Sequence, residues 1–378
     1  MKVVQILYSG LGGHGSVAFS LQAAAKRAWT GAATDWTGGM IFLGIEPLLP
    51  EYARLCAERS IPPTYVRARR GSPWRSWRGV FGALYGMRPD VIILHSVKTI
   101  LPAWLFARLR GIPLIAVEHQ PNSLKTRSEW VASRLLMRLA DAVVVLTPDY
   151  HDALRRGLGK AWRADKVHLI PNGIDTDDFA PAPDRPPRTG RPVTVGMAAR
   201  FSDTKRPELL AAAMAVLRER DGPDAWRLSL AGDGETRPGV VDQVAAAGLG
   251  GIVTLPGYLG AEALRDWFGL IDIYAHASNG ETLSTSILQA LAMGLPILGS
   301  DAPGISDLLA KGGGCGIVAA AQSGEAFADG LERLARDDGL AGTLAANARA
   351  LAVRDYSQDG MFRAYEKVVT QACARSST

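Results

Sequence analysis

Residues 274–304 decide the fold, and their sequence is YAHASNGETLSTSILQALAMGLPILGSDAPG. The apolar run over 271–275 predicts a buried strand, which Asn279-Gly280 ends with turn-forming residues. Apolar residues then recur at helical spacing as far as Gly294-Leu295-Pro296, which ends the helix and leads into a second apolar strand. The stretch therefore predicts a strand, loop, helix and strand unit of a parallel α/β sheet.

A polar loop connects the first of these strands to the helix. It begins at Glu281, and its hydroxyl groups can satisfy the first free N–H groups of the helix. Because a loop that leads backbone N–H groups into a helix N-terminus suits an anion, we expect it to bind phosphates such as those of a nucleotide. The predicted binding residues are Thr282, Leu283, Ser284 and Thr285.

The same stretch carries a family resemblance. Glu281 is followed by Gln289 and then by Ala290, Gly294 and Pro296. This spacing resembles the signature of the retaining GT-B glycosyltransferases of family four, which is Glu, seven residues, Glu, then Ala-x-x-x-Gly-x-Pro. The resemblance implies that Glu281 lies near the donor sugar and that residue 289 contacts the ribose hydroxyls. Gln289 replaces the usual Glu, so it can still form hydrogen bonds there but carries no charge.

The length of 378 residues predicts two domains. Strand-like and helix-like segments alternate through both halves, which indicates parallel sheets covered on both faces, and residues 331–353 predict a single Ala-rich helix. The resemblance implies the GT-B fold, an α/β architecture of two Rossmann-like domains facing across a cleft. We expect an acceptor-side domain over 1–175, a Pro-rich linker over 176–192, a nucleotide-sugar domain over 193–355, and a last helix over 356–378 returning to the first domain.

Localisation and metal binding are predicted from what the sequence lacks. No apolar run reaches the roughly 20 residues of a membrane span, and the first ten residues predict a strand and Gly-rich loop rather than a signal peptide, so we expect a cytoplasmic protein. The three cysteines have neither metal-ligand nor disulfide spacing. Asp175-Thr176-Asp177 matches the metal motif of the unrelated GT-A fold, but it adjoins the linker. No metal or cofactor is expected.

In the second half, the resemblance also identifies residues that would hold the donor. Arg200 and Lys205 match the positions whose cations hold the donor diphosphate, and two cations can neutralise the charge that builds on a departing diphosphate. Gly257 and Tyr258 fall in a loop that borders the nucleoside in the family. The alternative for the two cations is an ordinary solvated loop.

In the first half, a Gly-rich loop and two histidines follow predicted strands. The resemblance implies that Gly12 and Gly13 approach the donor diphosphate, although a tight turn alone would account for them. His119 follows the strand over 114–117, and the resemblance implies that it lies beside the donor sugar, where a neutral imidazole can hydrogen-bond a hydroxyl or help the acceptor lose its proton. His95 follows the strand over 91–94 and is a weaker candidate. Both could instead be structural.

Charge is unevenly shared, because residues 1–175 hold 23 Lys and Arg against 12 Asp and Glu. Arginines cluster beside a helix with one predicted apolar face, and this combination suits an anionic membrane surface. The face is formed by Trp74, Trp77, Phe81, Leu84 and Tyr85. The alternative is a core-facing aromatic side with solvated arginines. The arginines are Arg67, Arg69, Arg70, Arg75 and Arg78, and the patch could be extended by Lys125, Arg127, Arg134 and Arg138. No motif supports nucleic-acid binding.

Together these features predict a retaining glycosyltransferase that moves a sugar from a nucleotide diphosphate sugar to an acceptor hydroxyl. The basic first domain favours a lipid-linked acceptor, as in the assembly of a bacterial surface polysaccharide, lipopolysaccharide or glycolipid. Two alternatives remain open. One is a sugar-nucleotide epimerase of the same fold, and the other is a non-catalytic homologue that binds nucleotide sugar.

Overall fold

The computed structural model describes residues 1–10, 13–28, 36–45, 47–68, 73–95, 99–119, 125–181 and 190–376. The chain divides into two units, one formed by Met1–Gly173 with Gln358–Thr378 and the other by Ile174–Ser357. Each unit has its own parallel sheet and its own hydrophobic core.

The first unit is built around a seven-stranded sheet. Its strands are β1 (Val3–Tyr8), β2 (Met40–Gly44), β3 (Pro63–Arg67), β4 (Val91–Leu94), β5 (Leu114–Val117), β6 (Ala142–Val145) and β7 (Val167–Leu169). Its helices are α1 (Gly13–Ala28), α2 (Pro50–Glu58), α3 (Pro73–Met87), α4 (Ile100–Arg110), α5 (Arg127–Leu139) and α6 (Pro148–Leu158). The strand order is β3-β2-β1-β4-β5-β6-β7, and every pair is parallel. Because helices cover both faces, β4, β5 and β6 are continuous buried apolar runs.

The second unit repeats this plan with six strands. They are β8 (Val193–Ala198), β9 (Trp226–Ala231), β10 (Val253–Gly257), β11 (Ile273–His276), β12 (Ile297–Gly299) and β13 (Ile317–Val318). The helices are α7 (Pro207–Asp221), α8 (Arg237–Ala246), α9 (Ala261–Leu270), α10 (Thr285–Ala292), α11 (Ser306–Leu309), α12 (Gly324–Arg336) and α13 (Asp338–Asp355). The strand order is β10-β9-β8-β11-β12-β13, again parallel throughout.

The last helix, α14 (Gln358–Ser376), packs in the first unit. It contacts α1, and its Phe362 ring meets the Trp36 ring edge-on with 5.1 Å between centroids. Met361 Sδ accepts a hydrogen bond from Gly173 N at 3.1 Å. None of the helices in the described ranges combines the length and the apolar composition that a membrane span requires.

The prediction of one helix over 331–353 is wrong. Asp337 takes non-helical backbone angles (φ −112°, ψ 87°) between α12 and α13, and its carboxylate accepts a hydrogen bond from Leu340 N at 2.8 Å. Ala-rich flanks favour helix on both sides, but an Asp side chain that satisfies a free N–H group begins a new helix instead.

Candidate active site

The predicted donor-binding residues lie at the carboxyl edge of the second sheet. Arg200 and Lys205 follow β8, Gly257 ends β10, and Glu281 follows β11. Since ligands of open parallel sheets bind beyond the carboxyl ends of the strands, this edge is where a ligand is expected.

Glu281 and Lys205 form the centre of the site. Lys205 Nζ donates to Glu281 Oε1, and the exposed fractions of the two side chains are 19% and 11%. Backbone hydrogen bonds join their two loops, because Asn279 N donates to Thr204 O at 2.9 Å and Arg206 N donates to Ala277 O at 3.0 Å. The loop after β8 is therefore held against the loop after β11, and residues 76 positions apart in sequence form one ion pair.

His276, at the end of β11, was missed in the sequence and completes this cluster. Its Nε2 lies 2.7 Å from Glu281 Oε1, and its Nδ1 lies 3.1 Å from the Tyr274 hydroxyl, which is also 2.9 Å from Ser286 Oγ. Burial lowers the pKa of His276, although Glu281 opposes that shift. A neutral His276 with its hydrogen on Nε2 donates to the carboxylate. In the sequence, the only feature that could have indicated its role was the position of a His at the end of a buried strand.

The Glu281 carboxyl is held in its charged form. Burial by itself would raise its pKa, but the Lys205 charge and the hydrogen bonds from His276 and Lys205 together lower it to about 2. An ionised carboxylate only accepts hydrogen bonds. Glu281 can therefore bind sugar hydroxyls or stabilise positive charge, and it has no proton to give at neutral pH.

The loop after β12 constrains the backbone of Glu281. Glu281 N donates to Pro303 O at 2.9 Å, and Gly304 has a φ of +77°. A Cβ at position 304 would lie 2.1 Å from Glu281 O, so only glycine fits there. The two loops together fix where the carboxylate points.

The start of α10 differs in detail from the prediction. Ser284 occupies the N-cap position, but its side chain does not cap the helix; its hydroxyl lies 3.1 Å from Ser286 Oγ. Ser286 Oγ also accepts a hydrogen bond from the Tyr274 hydroxyl, so the Ser284 hydroxyl belongs to this side-chain network rather than to the helix cap. Thr282 and Leu283 are both 6% exposed, and Thr285 begins the helix. One turn on, Gln289 is 8% exposed.

Three other predicted donor contacts, Arg200, Gly257 and Tyr258, lie along the same edge of the sheet. Arg200 is exposed, and its Nη2 is 3.3 Å from Glu235 Oε2. Gly257 has a φ of +78°, and its carbonyl accepts a hydrogen bond from Gly232 N at 2.7 Å. Tyr258 is 43% exposed. The described residues contain no group of three or more His, Cys, Asp or Glu side chains that could hold a metal ion.

In the first unit, the structure brings His119 and His95 together. His95 Nδ1 lies 3.0 Å from His119 Nε2, and the rings are stacked with 5.3 Å between centroids. His95 Nε2 lies 2.9 Å from Gln5 Oε1, which sequence reasoning did not single out. Gly12 lies outside the described residues, and Gly13 begins α1.

Next to His119, Glu118 forms a buried ion pair with Lys125. Both side chains are 2% exposed, Nζ to Oε2 is 3.0 Å, and Tyr150 also donates to Oε2 at 3.0 Å. Lys125 Nζ also lies 5.1 Å from the centroid of the Trp130 ring. The expectation that Lys125 extends a basic surface is therefore wrong, because its ammonium group is buried and paired with Glu118.

The predicted membrane surface is only partly described. Arg67, Arg75 and Arg78 are exposed, whereas Arg69 and Arg70 lie outside the described residues. The Trp74 side chain lies outside the described residues; Phe81 packs edge-on against Phe106 at 5.2 Å between centroids, whereas Tyr85 is 66% exposed. The buried residues of α3 are Ser76, Val80 and Leu84, and Leu84 belongs to the predicted face.

Comparison with known families decides the classification. The model of the family described as "Glycosyl transferases group 1" matches residues 192–337, and that of "Glycosyltransferase Family 4" matches residues 41–178. The chain therefore belongs to the glycosyltransferases that these two models describe, group 1 or family 4. The two matches fall on the two units described above, and they confirm the relationship that the spacing of Glu281, Gly294 and Pro296 indicated.

Curated glycosyltransferases are similar to most of the chain. The D-inositol 3-phosphate glycosyltransferase of Xylanimonas cellulosilytica is 26% identical over 312 residues, which is 76% of this chain and 73% of that protein. The GDP-mannose-dependent alpha-mannosyltransferase of Mycolicibacterium smegmatis is 29% identical over 247 residues, covering 61% of each chain. The match thus spans about three fifths of the mannosyltransferase.

Solved glycosyltransferase structures show the same fold. HepE of Anabaena, in complex with UDP and glucose, superposes with a TM-score of 0.80 at 19% identity, covering 98% of this chain and 99% of that one. Sucrose-phosphate synthase of Thermosynechococcus elongatus gives a TM-score of 0.80 at 18% identity over 99% of this chain and 100% of that chain. The prediction of a GT-B fold with two Rossmann-like parallel-sheet domains is confirmed.

Proposed function

We propose that this glycosyltransferase moves a sugar from a nucleotide diphosphate sugar to an acceptor hydroxyl and retains the anomeric configuration. The observation that carries the proposal is the partly buried cluster of Glu281, Lys205 and His276 at the carboxyl edge of the second sheet. Two of its members occupy positions that the family resemblance assigns to the donor. The complex of HepE with UDP and glucose supports a nucleotide-sugar donor for a chain of this fold.

In this proposal the second unit holds the donor. Lys205 has three N–H donors, so it can keep Glu281 and also bind a phosphate oxygen, and the exposed Arg200 can leave Glu235 for the diphosphate. Glu281 accepts hydrogen bonds from the sugar, and the side-chain amide of the buried Gln289 bonds the ribose hydroxyls. Gly257 and Tyr258 border the base, and the backbone at Ser284-Thr285 faces a phosphate.

The proposed chemistry needs no metal, because the cations of Arg200 and Lys205 stabilise the charge on the departing diphosphate. The resemblance implies no second carboxylate placed for a double displacement, and Lys205 and His276 both hold Oε1 of Glu281. We therefore expect the sugar–phosphate bond to break and the acceptor oxygen to bond on the same face of the sugar. The acceptor's proton passes to the leaving phosphate.

Nucleotide binding tests this proposal directly. A ligand at one hundred times its Kd adds about 2.7 kcal/mol to the free energy of unfolding, so one member of a panel of UDP, GDP, ADP, TDP and CMP should raise the melting temperature clearly. The variant Lys205→Met should lose most of that rise. Lys311→Met is the matched control, because Lys311 Nζ instead lies 3.3 Å from the Tyr356 hydroxyl.

Two results would contradict the proposal in different ways. If no nucleotide changes the melting temperature, the chain is a homologue that does not use nucleotide sugars. If the stabilising sugar nucleotide is converted to a free product without any acceptor, the chain is an epimerase.

We also propose that the acceptor is lipid-linked and that the first unit contacts an anionic membrane from the cytoplasmic side. The basis is the excess of cations in residues 1–175 and the exposure of Arg67, Arg75 and Arg78. Near an anionic surface each arginine contributes about 1 kcal/mol. The outer side of α4 adds the apolar side chains of Leu105 and Leu109, which are 45% and 68% exposed.

Vesicle binding checks the membrane proposal. The double variant Arg75→Ala/Arg78→Ala should bind vesicles containing anionic lipid about 30-fold more weakly, which corresponds to about 2 kcal/mol. Co-sedimentation at low and high salt measures it, and binding should fall as salt rises. Arg155→Ala/Arg156→Ala on α6 removes the same charge from exposed positions and should bind like the parent protein. Equal binding to neutral and anionic vesicles would contradict the proposal.

A further inference from the structure

The segment over residues 59–117 carries almost no negative charge. It contains ten Lys and Arg residues against one acidic residue, Asp90. The Asp90 carboxylate accepts a hydrogen bond from Lys2 N at 2.7 Å. Helices α3 and α4, which both lie in this segment, therefore contain no carboxylate that could neutralise their arginines.

Two of these arginines line one pocket of the first unit. The pocket is formed by Tyr85, Arg88, Phe106 and Arg110. Arg88 directly follows α3, Arg110 is the last residue of α4, and both are exposed. Two guanidinium groups and the Tyr85 hydroxyl give the pocket hydrogen-bond donors and a charge of +2, which suits an anion.

The pocket lies at the amino edge of the first sheet. Helix α3 ends at Met87, just before β4 begins at Val91, and α4 ends just before β5 begins at Leu114. His95 and His119 follow the opposite, carboxyl ends of the same two strands. The pocket has a volume of about 230 Å³, below the roughly 300–1,000 Å³ of sites for drug-sized ligands. A single phosphate group therefore suits it better than a nucleotide does.

Arg88 has a backbone conformation that glycine adopts more easily. Its φ is +50°, and its N–H closes α3 by donating to Leu84 O at 2.9 Å. A side chain in this left-handed region costs free energy that glycine avoids. Strain of this kind is concentrated at functional sites, so the Arg88 guanidinium is expected to have a role that offsets it.

The surface beside the pocket indicates which kind of molecule carries the phosphate. Leu105 and Leu109 each precede a pocket residue of α4 by one position, so they form a neighbouring stripe on that helix. Their side chains are 45% and 68% exposed. A free phosphate would leave both leucines in water, whereas a lipid surface would cover them.

We propose that this pocket binds the phosphate group of an anionic lipid, with Arg88 and Arg110 as its two cationic contacts. Guanidinium groups bind phosphate oxygens through paired N–H donors. Two positive charges match a terminal phosphomonoester, which carries about −1.5 to −2 at pH 7, better than a phosphodiester. The inference rests on the proposed membrane contact for its ligand, but it assigns recognition to two residues that the membrane proposal does not use.

Vesicles of equal surface charge test the proposal with the full chain. One type contains phosphatidic acid and the other phosphatidylglycerol, both in phosphatidylcholine and adjusted to the same surface potential. Co-sedimentation should give a Kd about 10-fold lower for the phosphatidic acid vesicles, the scale of one hydrogen bond between charged groups. Equal affinities would overturn the proposal and leave only diffuse attraction to the membrane.

Arg88→Gly and Arg110→Gln should each abolish this preference. Arg88→Gly also relieves the left-handed backbone, so its urea midpoint should be no lower than that of the parent protein. A loss of binding in that variant then cannot be caused by unfolding. A folded Arg88→Gly protein that still prefers phosphatidic acid would contradict the assignment.

Two control variants separate the pocket from general effects. Ser60→Gly relieves the same kind of backbone, since Ser60 has a φ of +55° after α2, and it leaves the charge unchanged. Arg108→Gln removes one charge from the last turn of α4, where a cation also interacts with the helix dipole, but Arg108 does not line the pocket. Both variants should keep the preference. If Arg108→Gln loses it as fully as Arg110→Gln, the charge is diffuse and the pocket is not a site.

The outcomes also separate this site from the proposed function. If no sugar nucleotide raises the melting temperature but phosphatidic acid is still preferred, the lipid site stands without the proposed transfer. If the parent protein binds neither type of vesicle, this inference fails together with the proposed membrane contact, and the nucleotide measurements are unaffected.

Discussion

Glu281→Gln is expected to lower kcat for sugar transfer by about 10²–10³-fold, the range found when one preorganised electrostatic partner is removed from an active site. The substitution keeps the shape of the side chain and removes its charge. Lys205 then loses its anionic partner, and the amide can place an N–H₂ group against Lys205 and His276, which both donate to the carboxylate of the parent protein. Steady-state kinetics with the stabilising sugar nucleotide measures the change.

The control for this variant is Glu262→Gln, which makes the same change at an exposed position of α9. It should leave kcat and KM unaltered. A kcat for Glu281→Gln within a few-fold of the parent value would remove Glu281 from the chemistry, even if KM rose.

The same substitution should change how stability depends on pH. The pKa of Glu281 is lowered from 4.5 to about 2 in the folded protein, so its charge stabilises the fold above pH 4.5. That contribution is lost as the pH falls through about 2. The difference in urea midpoint between the parent and Glu281→Gln should therefore be largest near neutral pH and shrink toward pH 2. A constant difference across that range would contradict the low pKa.

Lys125→Met is expected to destabilise the first unit by about 3–5 kcal/mol, because it leaves the Glu118 carboxylate buried without a counterion. Both side chains are 2% exposed, and the ammonium also lies 2.9 Å from Ser133 Oγ. Burial lowers the pKa of Lys125, and Glu118 partly offsets that effect. Urea unfolding at pH 7, followed by a signal specific to the first unit, measures the loss.

A double variant separates the charge from the packing. Lys125→Met/Glu118→Gln removes both charges, so it should recover much of the stability that the single variant loses. Lys160→Met, at an exposed position in the same unit, should change stability by less than about 0.5 kcal/mol. If the single and double variants are equally unstable, the loss comes from the lost lysine stem and its contact with Trp130.

Sequence patterns placed the elements because their signals are local. Strand β4 and strand β5 match the predicted ranges, since a parallel strand covered on both faces is a continuous apolar run bounded by turn residues. The helix break at Asp337 was missed because an Ala-rich composition and a capping Asp compete, and the cap decided the outcome. The sequence also failed to show that Ser284 does not cap α10. Its hydroxyl lies beside Ser286 Oγ, which in turn contacts the Tyr274 hydroxyl.

By itself, the sequence determined the family, the two parallel-sheet domains and the loop that contains Glu281, because these depend on spacing and composition along the chain. Only the tertiary structure decided which groups meet. Parallel strand order brings Gln5 to His95 and joins Lys205 to Glu281 from loops far apart in sequence. Burial then sets the protonation of these groups, since it penalises every charge that lacks a partner. The sequence alone does not show which side chains become neighbours or which of them are shielded from water. Those two factors determine the hydrogen bonds and the protonation states of the polar residues in the site.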